Sequence, residues 1–235
     1  MLIHLKKNAR FLLFASLAWG FFFHGVTFAQ QADSSVLCKD YKARFAEMTY
    51  VWDYRNRDAS DQMRYQIRDN AQNHLNPARN RMQQLDFSRP VMADLDFTFL
   101  RYPNHLVAFD LLLKYIFAGG KEYEFGPFQC YFENAKSFAP DDARVILVEA
   151  YYNWRKGDKA RAKDLYGTAL GLDPNSAAAH YNLGLIFLEE KDFAKASEHA
   201  VAAYSLGYPF SALKDKLKMA GHPLPEIPAS KAAAE

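Results

Sequence analysis

The chain has 235 residues, of which 50% are hydrophobic and 15% aromatic, and this composition excludes an intrinsically disordered protein. Its formal net charge is +2, and Lys6, Lys7 and Arg10 are among its 29 basic residues. Without these three, 26 basic residues balance 27 acidic ones. The remainder of the chain therefore carries no electrostatic signature of nucleic-acid binding.

The first 29 residues have the pattern of a secretory signal peptide. Basic residues precede the apolar run Phe11–Phe28, and Thr27–Ala29 offers small residues where a signal peptidase cleaves. The run is close to the shortest stretch that spans a bilayer, so an uncleaved membrane anchor is the alternative. We expect export, with a bacterial periplasm as the compartment of the mature chain.

The only two cysteines, Cys38 and Cys130, both follow the predicted signal peptide. In an oxidising compartment such a pair is expected to form a disulfide, which the chain-entropy relation values at about 4–5 kcal/mol for a loop of this size. Two unrelated buried thiols are the alternative. Two cysteines so far apart, without a nearby histidine pair, do not have the spacing of a metal site.

Residues 30–91 form a predicted N-terminal segment of helices and irregular stretches. A helix is expected to start at Cys38, and an exposed aromatic turn is expected at residues 52–58. Asp61–Leu75 has the pattern of a polar helix. Pro77 then indicates either a break or the first turn of the next helix.

Residues 92–221 form the predicted repeat domain, in which Ala143–Tyr208 keeps a fixed period of 34 residues, with small residues at the same places, as is typical of stacked helix pairs. We therefore predict an all-α fold, an α-solenoid of about three antiparallel helix pairs with a capping helix at Phe210–Ala220. In that helix, Leu213, Leu217 and Met219 are expected to cover the last pair. The period relates Leu147 to Tyr181, Asp158 to Asp192, Ala162 to Ala196, Ala169 to Ala203 and Leu172 to Leu206.

The first pairs are less regular. Met92–Arg101 is expected to be the second helix of an incomplete pair, with Asp94 and Asp96 facing water. The next pair has a lengthened, glycine-rich loop at Ala118–Gly126, and residues 222–235 have the composition of a disordered tail. A proline turn marks the end of each pair, at Pro103, Pro140 and Pro174. The interval from Pro140 to Pro174 equals the period, and the interval from Pro103 to Pro140 is longer by three.

The run from Ala143 to Tyr208 resembles two tetratricopeptide repeats, and the stretch from Asn104 to Asp142 resembles a degenerate third. This resemblance implies an all-helical protein-interaction module and supplies no catalytic residues. Longer runs are similar to an exported proteobacterial tetratricopeptide family of uncharacterised activity, namely Asp94–His105, Cys130–Phe132, Phe138–Asp142, His180–Leu185, Ala203–Pro209 and Leu213–Leu217.

No motif for catalysis or cofactor binding is present, because the sequence lacks a glycine-rich phosphate loop, a nucleophile elbow and a His-x-x-x-His zinc pattern. We therefore predict no enzymatic activity and no cofactor. His180 and His199 fall on the two helices of one predicted pair, where a copper or zinc site is one interpretation. The simpler interpretation is a half-buried His180 and a solvated His199.

In a stack of this kind the first helix of each pair lines a concave groove, which is the predicted binding surface. Tyr151, Trp154 and Tyr181 are expected to anchor a partner, and Asn182 to bond the backbone of an extended peptide. The alternative is that these aromatics cover residues 38–90 of the same chain. The predicted groove comprises Arg144, Leu147, Val148, Tyr151, Trp154, Arg155, Tyr181, Asn182, Leu185 and Leu188.

These observations predict a non-catalytic periplasmic scaffold that binds a protein or peptide, of unspecified identity, in the groove. No nucleic-acid partner is expected, and membrane contact is expected only if the signal segment is uncleaved. The alternative is a periplasmic accessory protein that binds a metal or small molecule through His180, His199 or the turn at residues 52–58. An enzyme is the class that the sequence supports least.

Overall fold

The computed structural model describes residues 38–48, 51–55 and 61–226. The predicted signal peptide (1–29) and the last part of the predicted tail (227–235) lie outside the described residues. Every regular element in the described part is helical, and consecutive helices pack as neighbours, which confirms an all-α, solenoid-like fold. None of the described helices is both long and apolar enough to cross a bilayer.

The helices are numbered in chain order, and those from α2 onwards are joined by short turns. They are α1 (Lys39–Ala46), α2 (Asp61–Asn70), a π-helical turn (Ala71–Leu75), α3 (Asn76–Gln83), α4 (Arg89–Arg101), α5 (Leu106–Phe117), a 3-10 turn (Tyr123–Phe125), α6 (Phe128–Phe138), α7 (Ala143–Arg155), α8 (Lys159–Leu172), α9 (Ala177–Glu189), α10 (Phe193–Ser205) and α11 (Ala212–Met219). The π turn joins α2 to α3 without a gap, directly before Pro77. Because proline lacks an N–H and its ring crowds a regular helical turn, the wider turn accommodates it. Pro77 thus occupies the first turn of α3, one of its two expected roles.

Consecutive helices form antiparallel pairs: α2–α3 with α4, α5 with α6, α7 with α8, and α9 with α10. The first pair is fixed by two cross-contacts. The Asn70 amide and the Thr98 hydroxyl bond each other at 3.2 and 3.3 Å, and His74 Nδ1 lies 2.9 Å from an Asp94 oxygen. The helix predicted to close an incomplete pair, α4, therefore has its partner in α2–α3.

Acidic side chains cap the helices at repeated places. Asp158 accepts from the backbone N–H of Arg161 at 2.9 Å, and Asp192 accepts from that of Lys195 at 3.1 Å. Each bond satisfies a donor that the first turn of a helix leaves without an intrahelical partner. The periodic recurrence of aspartate thus has a local cause, since the same turn precedes α8 and α10.

Small residues bring α7 to α10 close together. Ala162, Ala196 and Ala203 are completely buried where neighbouring helices approach. A Cβ atom added at Gly184 would lie 3.3 Å from the backbone oxygen of Ala196 and 2.5 Å from a methyl group of Leu213. The contact between α9 and α10, and the seating of α11 on it, therefore require the absence of a side chain at this position.

The N-terminal helix α1 is held against α4 and α6. Cys38, just before α1, and Cys130 on α6 have Cα atoms 5.3 Å apart and sulfur atoms at bonding distance, as expected for a disulfide. Arg44 of α1 forms an ion pair with Asp96 of α4, which also accepts a bond from the Tyr131 hydroxyl at 2.8 Å. The expectation that Asp96 faces water is wrong, because α1 supplies a cation over this face and buries the carboxylate.

The described stretch around Tyr54 is fastened to the turns between the pairs. The backbone N–H of Tyr54 donates to the Asn104 side-chain oxygen at 2.9 Å. Arg55 forms ion pairs with Asp53 at 2.6 Å and with Asp141 at 2.9 Å. The Arg55 hydrogen bonds, assisted by the Asn104 amide, outweigh partial burial and lower the pKa of Asp53 to about 2. This stretch therefore links the N-terminal segment to two successive turns.

The capping helix α11 covers the last pair with one face. Leu213 and Leu217, one turn apart, are completely buried. Met219 was expected to join them but is 80% exposed. It lies two positions beyond Leu217, which places it on another face of the helix.

Candidate partner-binding groove

The first helices of the pairs, α5, α7 and α9, are neighbours and repeat the same surface positions. One period relates Trp154 to Leu188, and the longer interval of the preceding pair relates Phe117 to Trp154 and Lys114 to Tyr151. All five side chains are half-buried or exposed. Phe117 is missing from the predicted groove, although its interval to Trp154 identifies it. Stacking therefore builds one accessible surface from equivalent positions.

Four of the side chains on this surface contact one another, and we call Phe117, Tyr151, Trp154 and Arg155 the aromatic row. The Arg155 guanidinium carbon lies 4.8 Å from the Phe117 ring centroid, and its Nη1 donates to the Tyr151 hydroxyl at 2.7 Å. The Tyr151 ring meets Phe117 and Trp154 edge to face, at 6.4 and 6.0 Å. Trp154 Nε1 donates to Glu189 at 3.3 Å. Rings and a cation are thus held in fixed mutual positions.

A buried hydroxyl lies close to the same surface. Tyr166 of α8 is completely buried, and within the described residues no group meets hydrogen-bond geometry with its hydroxyl. Burial raises the pKa of Tyr166, Tyr151 and Tyr208 add to the increase, and the Asn182 side chain acts in the opposite direction. The Asn182 amide therefore approaches this hydroxyl without completing a well-aligned bond. The hydroxyl is closed to a ligand, so the half-buried Asn182 amide is the polar group of this pair that lies beside the aromatic row.

The other predicted groove residues have different surroundings. Leu185 is half-buried on α9. Tyr181 is only 7% exposed and stacks on Tyr208 with ring centroids 4.1 Å apart, so it packs within the end of the stack. Arg144 is exposed, but its guanidinium donates to Asp142 at 2.8 and 2.9 Å. The structure therefore does not bring Tyr181 or Arg144 into the aromatic row.

The described part of the N-terminal segment packs elsewhere. Helix α1 lies against α4 and α6, α2–α3 lies against α4 and α5, and the stretch around Tyr54 lies against the turns. Among the residues that the structure describes, no ring, ion-pair or hydrogen-bond contact joins residues 38–90 to Tyr151 or Trp154. The aromatic row is therefore accessible with respect to this part of the chain.

The structure brings His180 and His199 together. Their Nδ1 atoms lie 3.0 Å apart, and the other ring nitrogen of His180 lies 3.3 Å from the Pro174 carbonyl oxygen. His199 is half-buried and its ring stacks on Phe187 at 5.4 Å, where a solvated side chain was the simpler expectation. Burial, followed by the proximity of His180, lowers the pKa of His199. No third metal-binding side chain joins them within the described residues.

A buried charge cluster, not foreseen from the sequence, lies between α6, α7 and α8. Glu149 is completely buried, forms an ion pair with Lys136 at 2.7 Å and accepts from the Gln129 amide at 3.1 Å. Arg161 lies 3.7 Å from the same carboxylate. The sequence does carry a signal for this cluster, because the position equivalent to Glu149 one period later is an apolar residue, Leu183. The arrangement neutralises the carboxylate by ion pairing, which is a structural role.

Comparison with protein-family models gives no match, and comparison with curated proteins gives no match either. The resemblance to tetratricopeptide repeats therefore rests on the periodic residues and stays a prediction.

Proposed function

We propose that the protein is an exported, tetratricopeptide-like scaffold without catalytic activity, which binds an extended peptide segment of a protein partner along the aromatic row. The observation that carries the proposal is the row itself. Trp, Tyr and Arg side chains dominate binding energy at protein interfaces, and here they are accessible and already oriented by one another. Such preorganisation lowers the entropic cost of binding.

Two further observations support this function. The half-buried Asn182 amide provides a polar group beside the rings, as recognition of a peptide backbone requires. The bonded pair of Cys38 and Cys130 is compatible with an oxidising compartment, as is the secretory pattern of the first 29 residues. Export to a bacterial periplasm is part of the proposal.

The test selects peptides from a random display library on the immobilised protein and measures their dissociation constants by fluorescence anisotropy. Trp154→Ala is expected to weaken the selected peptides about tenfold or more, because a central aromatic anchor is removed. Asn182→Ala is expected to weaken them by a smaller factor. Thermal unfolding of both variants checks that the stack is intact.

Tyr65→Ala is the matched control, because Tyr65 is an aromatic side chain on α2 that is 56% exposed and outside the row. It should leave peptide affinity unchanged. If Trp154→Ala and Asn182→Ala bind the selected peptides as tightly as the wild type, the aromatic row is not the binding surface.

A second candidate function, metal binding, is favoured by the 3.0 Å separation of the His180 and His199 Nδ1 atoms. The Pro174 carbonyl can accept the Nε2 proton of His180 and so leave its Nδ1 lone pair to a metal. Calorimetric titration with Zn²⁺ and Cu²⁺ tests this function. Binding that is lost in His180→Ala but kept in His222→Ala supports it, and equal binding by the two variants rejects it.

A further inference from the structure

A cavity of about 390 Å³ lies between α2 and the end of α4 and shares no residue with the aromatic row. This volume is at the small end of the range for ligand pockets, roughly 300–1,000 Å³, so it suits a small metabolite and not a peptide. Its walls combine two aromatic rings, three amides and one charge of each sign. They are formed by Trp52, Gln62, Gln66, Asp69, Asn70, Phe97 and Arg101.

The cationic wall is fixed in position. The Arg101 guanidinium lies 4.6 Å from the Phe97 ring centroid, and His74 stacks on the same ring at 4.0 Å. The backbone N–H of Trp52 donates to the Arg101 carbonyl at 2.8 Å, which secures the end of α4. The Arg101 Nε atom is buried and has no acceptor within the described residues. A charged donor is thus held at the cavity wall with bonding capacity left over.

The anionic wall faces the same space. The Asp69 carboxylate accepts from the Asn73 amide at 2.8 Å, and within the described residues no cation lies within ion-pair distance of it. Burial raises the pKa of Tyr102, Arg101 lowers it and Asp69 adds to the increase, so both charges lie near this residue. Two opposite charges that line one cavity without pairing leave each available to a ligand group of the other sign.

The sequence of α2 has the pattern that such a cavity needs. Gln62, Gln66 and Asn70 recur at every fourth position and therefore share one helix face, which turns towards α4. The Asn70 amide is bonded to Thr98, and the other two amides line the cavity. The π turn begins directly after Asn70, and such turns are frequent at functional sites. Along this face Gln62 is exposed, Gln66 is half-buried and Asn70 is buried, so the cavity offers polar groups that a polar ligand can reach.

We propose that this cavity binds a free amino acid, or a zwitterion of similar size, with its carboxylate at Arg101 and its ammonium group at Asp69. An apolar or aromatic side chain then packs against Trp52 and the edge of Phe97, whose ring face is covered by His74 and Arg101. The amides of Gln62 and Gln66 bond the remaining polar atoms. A ligand with only a negative charge would be repelled by Asp69, and a ligand with only a positive charge would be repelled by Arg101. The zwitterion is the class that satisfies both walls.

The test is calorimetric titration of the purified protein with L-phenylalanine and two analogues that each lack one charge, 3-phenylpropionate and 2-phenylethylamine. L-Phenylalanine is expected to bind, and each analogue to bind about tenfold more weakly or worse, because a charge-assisted hydrogen bond is lost. A panel of the other amino acids ranks the side-chain preference.

Asp69→Asn should weaken L-phenylalanine about tenfold, down to the affinity of 3-phenylpropionate. Asp164→Asn, the same change at an exposed position of α8, should leave it unchanged. Trp154→Ala should also leave it unchanged, which keeps this site distinct from the groove.

The proposal is overturned if either analogue binds as tightly as L-phenylalanine, or if no amino acid binds at millimolar concentration. The analogue series is measured on the wild type, so it decides the matter even if a variant does not fold.

Discussion

The pair α5–α6 and the pair α7–α8 share one architecture but differ in how closely their helices pack. In α5–α6, two large rings meet between the helices, with Phe109 and Phe132 stacked at 5.1 Å. In α7–α8, the equivalent positions are Ile146 and Tyr166, and completely buried alanines, Ala150 and Ala162, complete the interior. The first pair is held apart by rings, whereas in the second the backbones approach closely.

This difference explains where the stack is regular and where it needs additional fastening. Close backbone contact tolerates no change in spacing, so a single period is kept beyond Ala143. Large rings can fill a wider and less regular space, and here the interval between the proline turns, from Pro103 to Pro140, is longer by three. The disulfide lies in this ring-packed region. The disulfide thus joins α1 to the helix pair whose packing is least regular.

The largest expected effect is on the ring-packed half. Replacing both cysteines, Cys38→Ser with Cys130→Ser, should lower the free energy of unfolding by about 4–5 kcal/mol, because the link spans 92 residues of sequence. Urea unfolding monitored by circular dichroism measures the change. Reductant should shift the wild-type midpoint and leave the double variant unaffected. An unshifted wild-type midpoint would contradict the assigned role of the bridge.

An intermediate effect is expected in the alanine-packed half. Gly184→Ala should destabilise the protein by about 1–3 kcal/mol, since the new methyl group meets the fixed Ala196 carbonyl as well as the movable Leu213 side chain. Gly167→Ala is the control, because a Cβ atom there meets nothing within 4 Å and α8 gains a better helix former. It should stabilise by about 0.5–1 kcal/mol. Thermal unfolding of the two variants in parallel would show shifts of opposite sign.

The smallest effect concerns ionisation within the last pair. The pKa of His199 is lowered in the fold, so the unfolded chain binds the proton more readily. The contribution of neutral His199 to the free energy of unfolding should therefore be fully present at pH 7.5. It should decrease as the pH falls below 6.5, the pKa of the histidine in the unfolded chain. A decrease of about 0.5 kcal/mol by pH 5.5 is expected for this half-buried group.

His199→Gln should flatten this dependence in urea unfolding at the two pH values. His222→Gln, which replaces an exposed histidine, should keep it. Equal slopes in both variants would exclude His199 as the group responsible.

The periodic half of the fold follows directly from the sequence. Small residues that recur at one fixed interval have one physical explanation, close approach of neighbouring helices, and Ala162 and Ala196 are completely buried as that explanation requires. The pairing of α2–α3 with α4 was not predictable in the same way. Polar groups such as Asn70 and Thr98 interrupt the apolar residues that also pack there, such as Leu75, so no apolar period can be recognised.

The candidate surface was predictable by position but not by exposure. Projection of the repeat assigned Tyr151 and Trp154 to the predicted groove, and the structure places both, half-buried, in the aromatic row. It failed to show that Tyr181 is covered, because the covering ring, Tyr208, lies outside the repeating helices. Asp96 was misjudged for a similar reason, since its cation comes from α1. A repeat period carries no information about contacts that the repeating helices make with residues outside the repeat.

The longer turn at residues 118–127 has a consequence for how this surface can change. Three additional residues enter there, yet Phe117 still reaches Tyr151, with ring centroids 6.4 Å apart. Insertions in the turn are absorbed without displacing the row. For the proposed peptide-binding role, this means that substitutions along the row, one per pair, can change ligand preference while the interior that holds the helices together remains constant.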